Sequence, residues 1–393
     1  MKLAAVETPV GVVDLPRARR NVERAVAYCR RHRLAWRPHV KTHKSVEMAR
    51  LQLDRGAQGL TVATPHEAEV MATVTDDLLL AHPPACASKV RRLCSLPRSV
   101  DLQVGLDAVE VLLPLAAAGA AAGRIFGILV EFDAGLGRTG VVAPDDAVRV
   151  AEAAARLPGA RFDGLMFYPG HLRIPRPEQS EALTRLSRRI EDFVAALEGA
   201  GLPPRVVSGG STPTLWDSHL LRGVTEVRCG TCIYNDRDIV GMGAAAPEDV
   251  AYTVLGTVIS VAVPGQVVVD AGSKALSREV LGSGASGYGA LFDRPAVTVK
   301  AINEEHGVLD LSQTAWRPAI GERLRIVPNH VCVSVNLHDH LWGFENGSSD
   351  GGGCAVRPVM LEARGRASPR AEQVAVGASA ATSRGAATAH GPA

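Results

Sequence analysis

From about residue 17 to residue 245 the chain repeats one pattern: a short apolar run, a polar or glycine-rich turn, then a longer amphipathic stretch. The apolar runs fall at Leu34–Val40, Gly59–Val62, Leu78–Ala81, Leu102–Leu106, Ile125–Glu131, Phe162–Phe167, Arg205–Ser208 and Val224–Arg228. Runs this short suit strands better than helices. The stretches between most of them are rich in Ala, Leu, Arg and Glu and read as helices, clearest at Asp146–Arg156 and Glu178–Leu197. Eight strands alternating with helices is the count of a (β/α)8 TIM barrel. A doubly wound open sheet alternates similarly, but no glycine-rich dinucleotide turn follows the first strand.

The texture changes after about residue 248. Tyr252–Val263, Gln266–Asp270, Ala296–Asn303, Arg323–Val327 and His330–Val335 are short, mostly valine-rich stretches separated by Gly, Pro and charged turns. They predict a separate antiparallel β domain over residues 248–365, after a barrel over 17–247. Residues 366–393 are rich in Ala, Gly, Ser and Thr and poor in large apolar side chains, which predicts a flexible tail.

Charge narrows the function. The 43 basic residues nearly cancel the 41 acidic ones, and aromatics are only 4%. No basic stripe is available for nucleic acid and no field for a membrane surface, so a small-molecule substrate is expected. Seven scattered cysteines do not form a disulfide framework. The N-terminus lacks a signal-peptide apolar run, and no segment is long and apolar enough to span a bilayer. A cytoplasmic protein is the expectation.

Barrel chemistry collects at the C-terminal ends of the strands. Five of these ends carry polar, reactive or glycine-rich segments: His39-Val40-Lys41-Thr42-His43-Lys44, Asp133 with Gly135-Leu136-Gly137-Arg138, Tyr168-Pro169-Gly170-His171, Ser208-Gly209-Gly210-Ser211-Thr212, and Arg228-Cys229-Gly230-Thr231. The chain has six lysines against 37 arginines, and two of the six are Lys41 and Lys44. A lysine beside other cationic groups at a barrel mouth can form a Schiff base with a carbonyl. Two surface lysines after a strand would be the plain alternative. The Gly209-Gly210-Ser211-Thr212 and Gly230-Thr231 turns offer backbone N–H groups and hydroxyls for a phosphate. Together they suggest a phosphorylated aldehyde joined to Lys41.

On the segments Pro38-His39-Val40-Lys41-Thr42-His43-Lys44, Asp133-Ala134-Gly135-Leu136-Gly137-Arg138-Thr139-Gly140, Ser208-Gly209-Gly210-Ser211 and Val227-Arg228-Cys229-Gly230-Thr231, the chain resembles the pyridoxal-phosphate (PLP) enzymes of the alanine-racemase fold. Within that fold the resemblance is to the D-threonine aldolase and eukaryotic-type D-serine dehydratase group, over roughly residues 8–365. It implies PLP on Lys41, a homodimer, and an N-terminal strand (residues 1–16) joining the β domain. It places Arg138 near the cofactor's phenolic oxygen and Arg228 against its pyridine nitrogen. Ser211, Thr212, Gly230 and Thr231 hold the phosphate, Tyr168 and Tyr234 complete the cofactor set, and His171 lies close to ring or substrate.

His330 and Cys332 lie two residues apart in a predicted strand, so both could reach one ion. An imidazole and a thiolate favour zinc, although two ligands do not complete a site, and a half-buried strand pair is the alternative. The resemblance implies a divalent metal there, Zn2+ or Mn2+, and casts His330 with Lys41 and His171 as catalytic. His338 and His340 read as a polar turn, and His306 belongs to a polar segment of the same family.

The activity so implied is PLP- and metal-dependent cleavage of D-β-hydroxy-α-amino acids to glycine and an aldehyde, a D-threonine aldolase reaction. The same parts could instead serve a D-serine or D-threo-3-hydroxyaspartate dehydratase that releases an α-keto acid and ammonia. An amino-acid racemase and a PLP-homeostasis protein are further alternatives. The latter uses a barrel and lysine alone, and the β domain argues against it.

Overall fold

The computed structural model describes residues 1–282, 284, 286–345 and 354–365; the tail expected at 366–393 lies outside them. Strand β1 (Val10–Asp14) is buried throughout and runs directly into helix α1 (Leu15–Arg31). Asp14 makes the change of element: its carboxylate accepts from the Arg17 N–H at 2.9 Å and caps the helix. Pro16 sits in the first turn, where its missing N–H has no helical partner to lose.

Eight parallel strands follow: β2 (Ala35–Trp36), β3 (Leu60–Val62), β4 (Asp77–Leu80), β5 (Asp101–Leu106), β6 (Phe126–Glu131), β7 (Ala160–Met166), β8 (Val206–Gly209) and β9 (Glu226–Val227). Their spatial order is β2-β9-β8-β7-β6-β5-β4-β3. Side chains alternate across the sheet as the pleat requires. Leu79 and Leu129 join Met166 in one small cluster, whereas Leu78, Leu80, Ile128 and Val130 pack into another with the helices.

The sheet curls on itself but does not close as the sequence predicts. Between the edge strands β2 and β3 there is no ladder, only an isolated bridge between His39 and Thr61. The Thr61 N–H donates to the Pro38 carbonyl at 2.9 Å, and the Gln58 N–H to the Trp36 carbonyl at 2.8 Å. The first strand, expected over Leu34–Val40, ends at Trp36. Pro38 removes a donor, and the chain tightens into a 3-10 turn over Val40–Thr42. A buried charge cluster flanks this edge. Arg37, 2% exposed, donates to Glu226 at 2.7 Å and also bonds Asp77, while Glu226 accepts from the Ser208 hydroxyl at 2.6 Å.

The second sheet contains β10 (Tyr252–Ser260), β11 (Gln266–Val269), β12 (Gly289–Leu291), β13 (Val299–Ile302), β14 (Gly307–Asp310), β15 (Arg323–Pro328), β16 (His340–Phe344) and β17 (Val356–Met360). It is antiparallel except at one pair. β1 lies between β10, which it pairs antiparallel, and β16, which it pairs parallel. The expected strands Tyr252–Val263 and Ala296–Asn303 are shorter, ending at Ser260 and starting at Val299. The largest departure is His330–Val335, predicted as a strand. His330 is extended, but Val331–Asn336 is a helix. Its Val331 N–H is capped by the Asp236 carboxylate at 2.9 Å, so a tertiary contact overrides the β propensity of the valines.

One apolar core spans both sheets, joining Val13, Leu15 and Trp36 to Tyr234, Tyr252, Val254, Val331 and Leu341. Each large side chain so buried contributes about 1.5–3 kcal/mol. No helix among the described residues is long and apolar enough to cross a membrane. Arg37→Met should strand the buried Glu226 carboxylate and lower stability by about 3–5 kcal/mol; urea unfolding checks this.

Candidate active site

The C-terminal ends of the parallel strands and one corner of the second sheet enclose a cavity of about 200 Å3. Among its walls are nine residues singled out from the sequence: Lys41, Arg138, Tyr168, Ser211, Thr212, Arg228, Gly230, Thr231 and His330. The 3-10 turn after β2 puts Lys41 there, and His39 heads that turn by accepting from the Lys41 N–H at 3.4 Å. Lys41 Nζ lies 5.8 Å from the centre of the Tyr168 ring, and the Arg138 guanidinium 5.0 Å from the same ring. Lys44 is spent elsewhere, paired with the wholly buried Glu67. The two lysines of the motif are thereby separated into a cavity residue and a structural one.

Each turn has a local reason for its sequence. Asp133 accepts from the N–H groups of Gly135 and Gly137 at 3.1 and 3.0 Å, folding the turn that delivers Arg138. Gly140 has φ +106°, and a Cβ there would lie 2.4 Å from the Phe132 carbonyl carbon. Ser211 opens a 3-10 helix over Thr212–Leu220 and forms a reciprocal cap with Thr214. A Cβ on Gly230 would sit 2.3 Å from the His39 carbonyl oxygen, so backbone alone fits where the first and eighth strand ends meet.

Arg228 is almost wholly buried, and both ends of its guanidinium are held, donating to Ser208 Oγ and to the Phe167 carbonyl, each at 2.8 Å. Glu131, at the end of β6, also lines the cavity and accepts from Thr139 at 3.0 Å. Burial raises its carboxyl above the usual range, even against the Thr139 hydrogen bond and the charges of Arg228 and Arg138. Burial together with Lys41 and Arg228 pushes His39 well below the usual histidine range, so it is neutral.

His330 and Cys332 come from the second sheet's side. They lie at the start of a helix rather than on one face of a strand, yet their side chains are close enough for each to shift the other's proton affinity. Cys332 Sγ lies 3.2 Å from the Thr42 hydroxyl and 3.6 Å from the Thr231 hydroxyl, behind the cavity wall. Burial raises the Cys332 thiol, but His330, Lys41 and the Thr42 hydroxyl outweigh it and bring it below its usual value. Beside that sulfur, and against burial, His330 is raised, aided by a 3.1 Å contact from its Nδ1 to Asp236. Among the described residues no group of three or more His, Cys, Asp or Glu side chains converges as a metal cluster.

Besides Cys332, two predicted residues are not brought to the cavity wall. His171 is exposed at the rim, its ring over Gly135. Tyr234 is wholly buried, its ring 6.0 Å from that of Tyr252 and its hydroxyl without a hydrogen-bond partner in the structure. Of the other histidines, His306 is exposed in the turn between β13 and β14, His338 is buried beside Tyr252, and His340 opens β16. Glu131, Asp236, Asp238, Arg173 and Glu279 were not foreseen. Glu131 carried a signal, since it terminates a predicted barrel strand. Asp236 carried none, because its partner is 94 residues away in the chain.

Comparison with known proteins identifies the family. The family model for the alanine racemase N-terminal domain matches residues 13–238, and one for a serine dehydratase domain matches residues 251–344. The D-threo-3-hydroxyaspartate dehydratase of Delftia sp. (strain HT23) is 37% identical over 352 residues, covering 84% of this chain and 92% of that protein. The D-threonine aldolase of Arthrobacter sp. is 34% identical over 348 residues, covering 86% of this chain and 89% of that protein. The crystal structure of the D-threonine aldolase from Filomicrobium marinum superposes with a TM-score of 0.84 at 30% identity, covering 93% of this chain and 97% of the other. With its curled parallel sheet and separate, largely antiparallel sheet, the chain belongs to the alanine-racemase-fold family of PLP-dependent lyases acting on D-amino acids, which includes D-threonine aldolases, D-hydroxyaspartate dehydratases and D-serine dehydratases.

Proposed function

We propose that this protein is an aldolase of the D-threonine type, cleaving D-β-hydroxy-α-amino acids to glycine and an aldehyde with PLP at Lys41 and a divalent ion, Zn2+ or Mn2+, at His330 and Cys332. One observation carries the reading: an amine from the parallel sheet and an imidazole from the other domain line the same small cavity. The Arthrobacter and Filomicrobium relatives, both named D-threonine aldolases, support it.

The residues present fit the cofactor. Lys41 offers the amine for its aldehyde, and the bare backbone at Gly230 with the Ser211 and Thr212 hydroxyls offers a cradle for its phosphate. Arg228, fixed by Ser208 and Phe167, would stand at the ring nitrogen, and Arg138 at the phenolic oxygen. Bound there, PLP supplies an electron sink for the pair released when the Cα–Cβ bond breaks.

The donor set of His330 and Cys332 suits a borderline metal and leaves positions open for water and substrate oxygens. A divalent ion there supplies Lewis acidity at the substrate's β-hydroxyl. Loss of the β-hydroxyl proton, made easier by His330 holding that ion against the hydroxyl, would start retro-aldol cleavage, while Lys41 stays clear of the Cα proton. In the competing dehydratase reading Lys41 removes the Cα proton and the hydroxyl leaves. That reading is favoured by the name of the Delftia relative, 37% identical.

Product analysis separates the two. D-Threonine should yield glycine and acetaldehyde; 2-oxobutanoate from D-threonine, or pyruvate from D-serine, would establish the dehydratase. Lys41→Ala should lose the yellow absorbance of lysine-bound PLP, and retention of that band would move the attachment elsewhere. His330→Ala should keep the band, yet lose turnover by about 100-fold or more and become insensitive to chelation. Wild-type turnover in a chelator-treated His330→Ala protein would remove the metal from the reaction.

A further inference from the structure

We infer that Asp236 is the positioning residue of the divalent-ion site, holding His330 so that Nε2 is its metal-binding nitrogen. The inference rests on the metal reading above and concerns a residue that contributes no ligand itself. Asp236 is wholly buried. Its Oδ1 accepts from the Ile239 N–H at 2.9 Å, and its Oδ2 accepts from the Val331 N–H at 2.9 Å and meets His330 Nδ1 at 3.1 Å.

These contacts fix the carboxylate from both sides. The Ile239 bond ties it to its own short helix, Arg237–Gly241, and the Val331 bond ties it to the first residue after His330. A carboxylate can only accept, so the imidazole nitrogen facing it must carry the proton. In the neutral imidazole that an ion requires, the lone pair is then on Nε2, the nitrogen left for an ion in the cavity that His330 lines. The His330 side chain is 34% exposed and not immobilised by packing alone, so this bond sets the direction of the ring.

The arrangement also crosses between domains. Asp236 follows the last parallel strand, whereas His330 follows β15 of the other sheet. An ion bound by His330 would therefore be felt by the barrel through one carboxylate. Metal affinity becomes a property of how the two domains dock, and not of the His-x-Cys pair alone.

The test is equilibrium dialysis of the PLP-loaded enzyme against Zn2+. Wild type should bind one ion per chain, and Asp236→Asn should raise the dissociation constant about 10- to 100-fold with the PLP absorbance unchanged. A purely structural Asp236 would give a variant with a lower melting temperature and wild-type zinc affinity, which overturns the inference while leaving the metal reading intact. Absence of zinc binding in wild type overturns both. Should Asp236→Asn not fold, 15N-histidine NMR of the zinc-loaded wild type decides, with the His330 resonance assigned from the His330→Ala spectrum. Proton on Nδ1 and metal on Nε2 is expected, and the reverse tautomer refutes the inference.

Discussion

The site depends on a single apolar contact surface, the core between the curled sheet and the second sheet. Val13 and Leu15 enter it from the β1–α1 junction, Trp36 and Tyr234 from the parallel-sheet side, and Tyr252, Val331 and Leu341 from the other. Burial of this kind presses two bodies together without fixing their orientation. Orientation comes from the polar bonds set into the same surface. The Asp236 carboxylate accepts from the Val331 N–H at 2.9 Å, the Asp238 carboxylate from the Gly282 N–H at 3.0 Å, and Arg237 donates to Asn329 Oδ1 at 3.2 Å. Such bonds add little net energy but leave costly orphans in any other docking, which selects one arrangement.

That arrangement sorts charge within the cavity. Lys41, Arg138 and Arg228 gather on the barrel wall, with Glu131 as a buried carboxyl among them and His39 neutral. Asp236 and the Cys332 sulfur gather toward His330. One half thus suits the anionic groups of a phosphorylated cofactor and the other suits a cation. A chain whose net charge is only +2 holds two strongly polar half-sites of opposite preference.

Legibility in the sequence followed the range of the interaction. The alternation of apolar runs and the Asp133–Gly140 and Gly209–Thr212 turns are local, and the structure contains the corresponding strands and turns. The open edge between β2 and β3 was hidden, because closure depends on pairing between segments each only a few residues long. The helix after His330 was hidden for a similar reason. Val331, Val333 and Val335 favour a strand by local propensity, and the cap that turns them into a helix comes from Asp236. The three-residue β12 and the short strands of mixed polarity, β14, β16 and β17, carry too little periodicity to stand out.

The contact of Gly230 with the His39 carbonyl, too close for any side chain, leaves almost no slack between the turn bearing Lys41 and the turn offered to phosphate. Neither can slide without moving the other, and the span from amine to anion cradle is set by backbone contact. The pair behaves as a gauge. On the proposed reading it would measure an incoming aldehyde by the length between its two ends, so an aldehyde without its distal phosphate would meet a placed lysine and an empty rest of the measure.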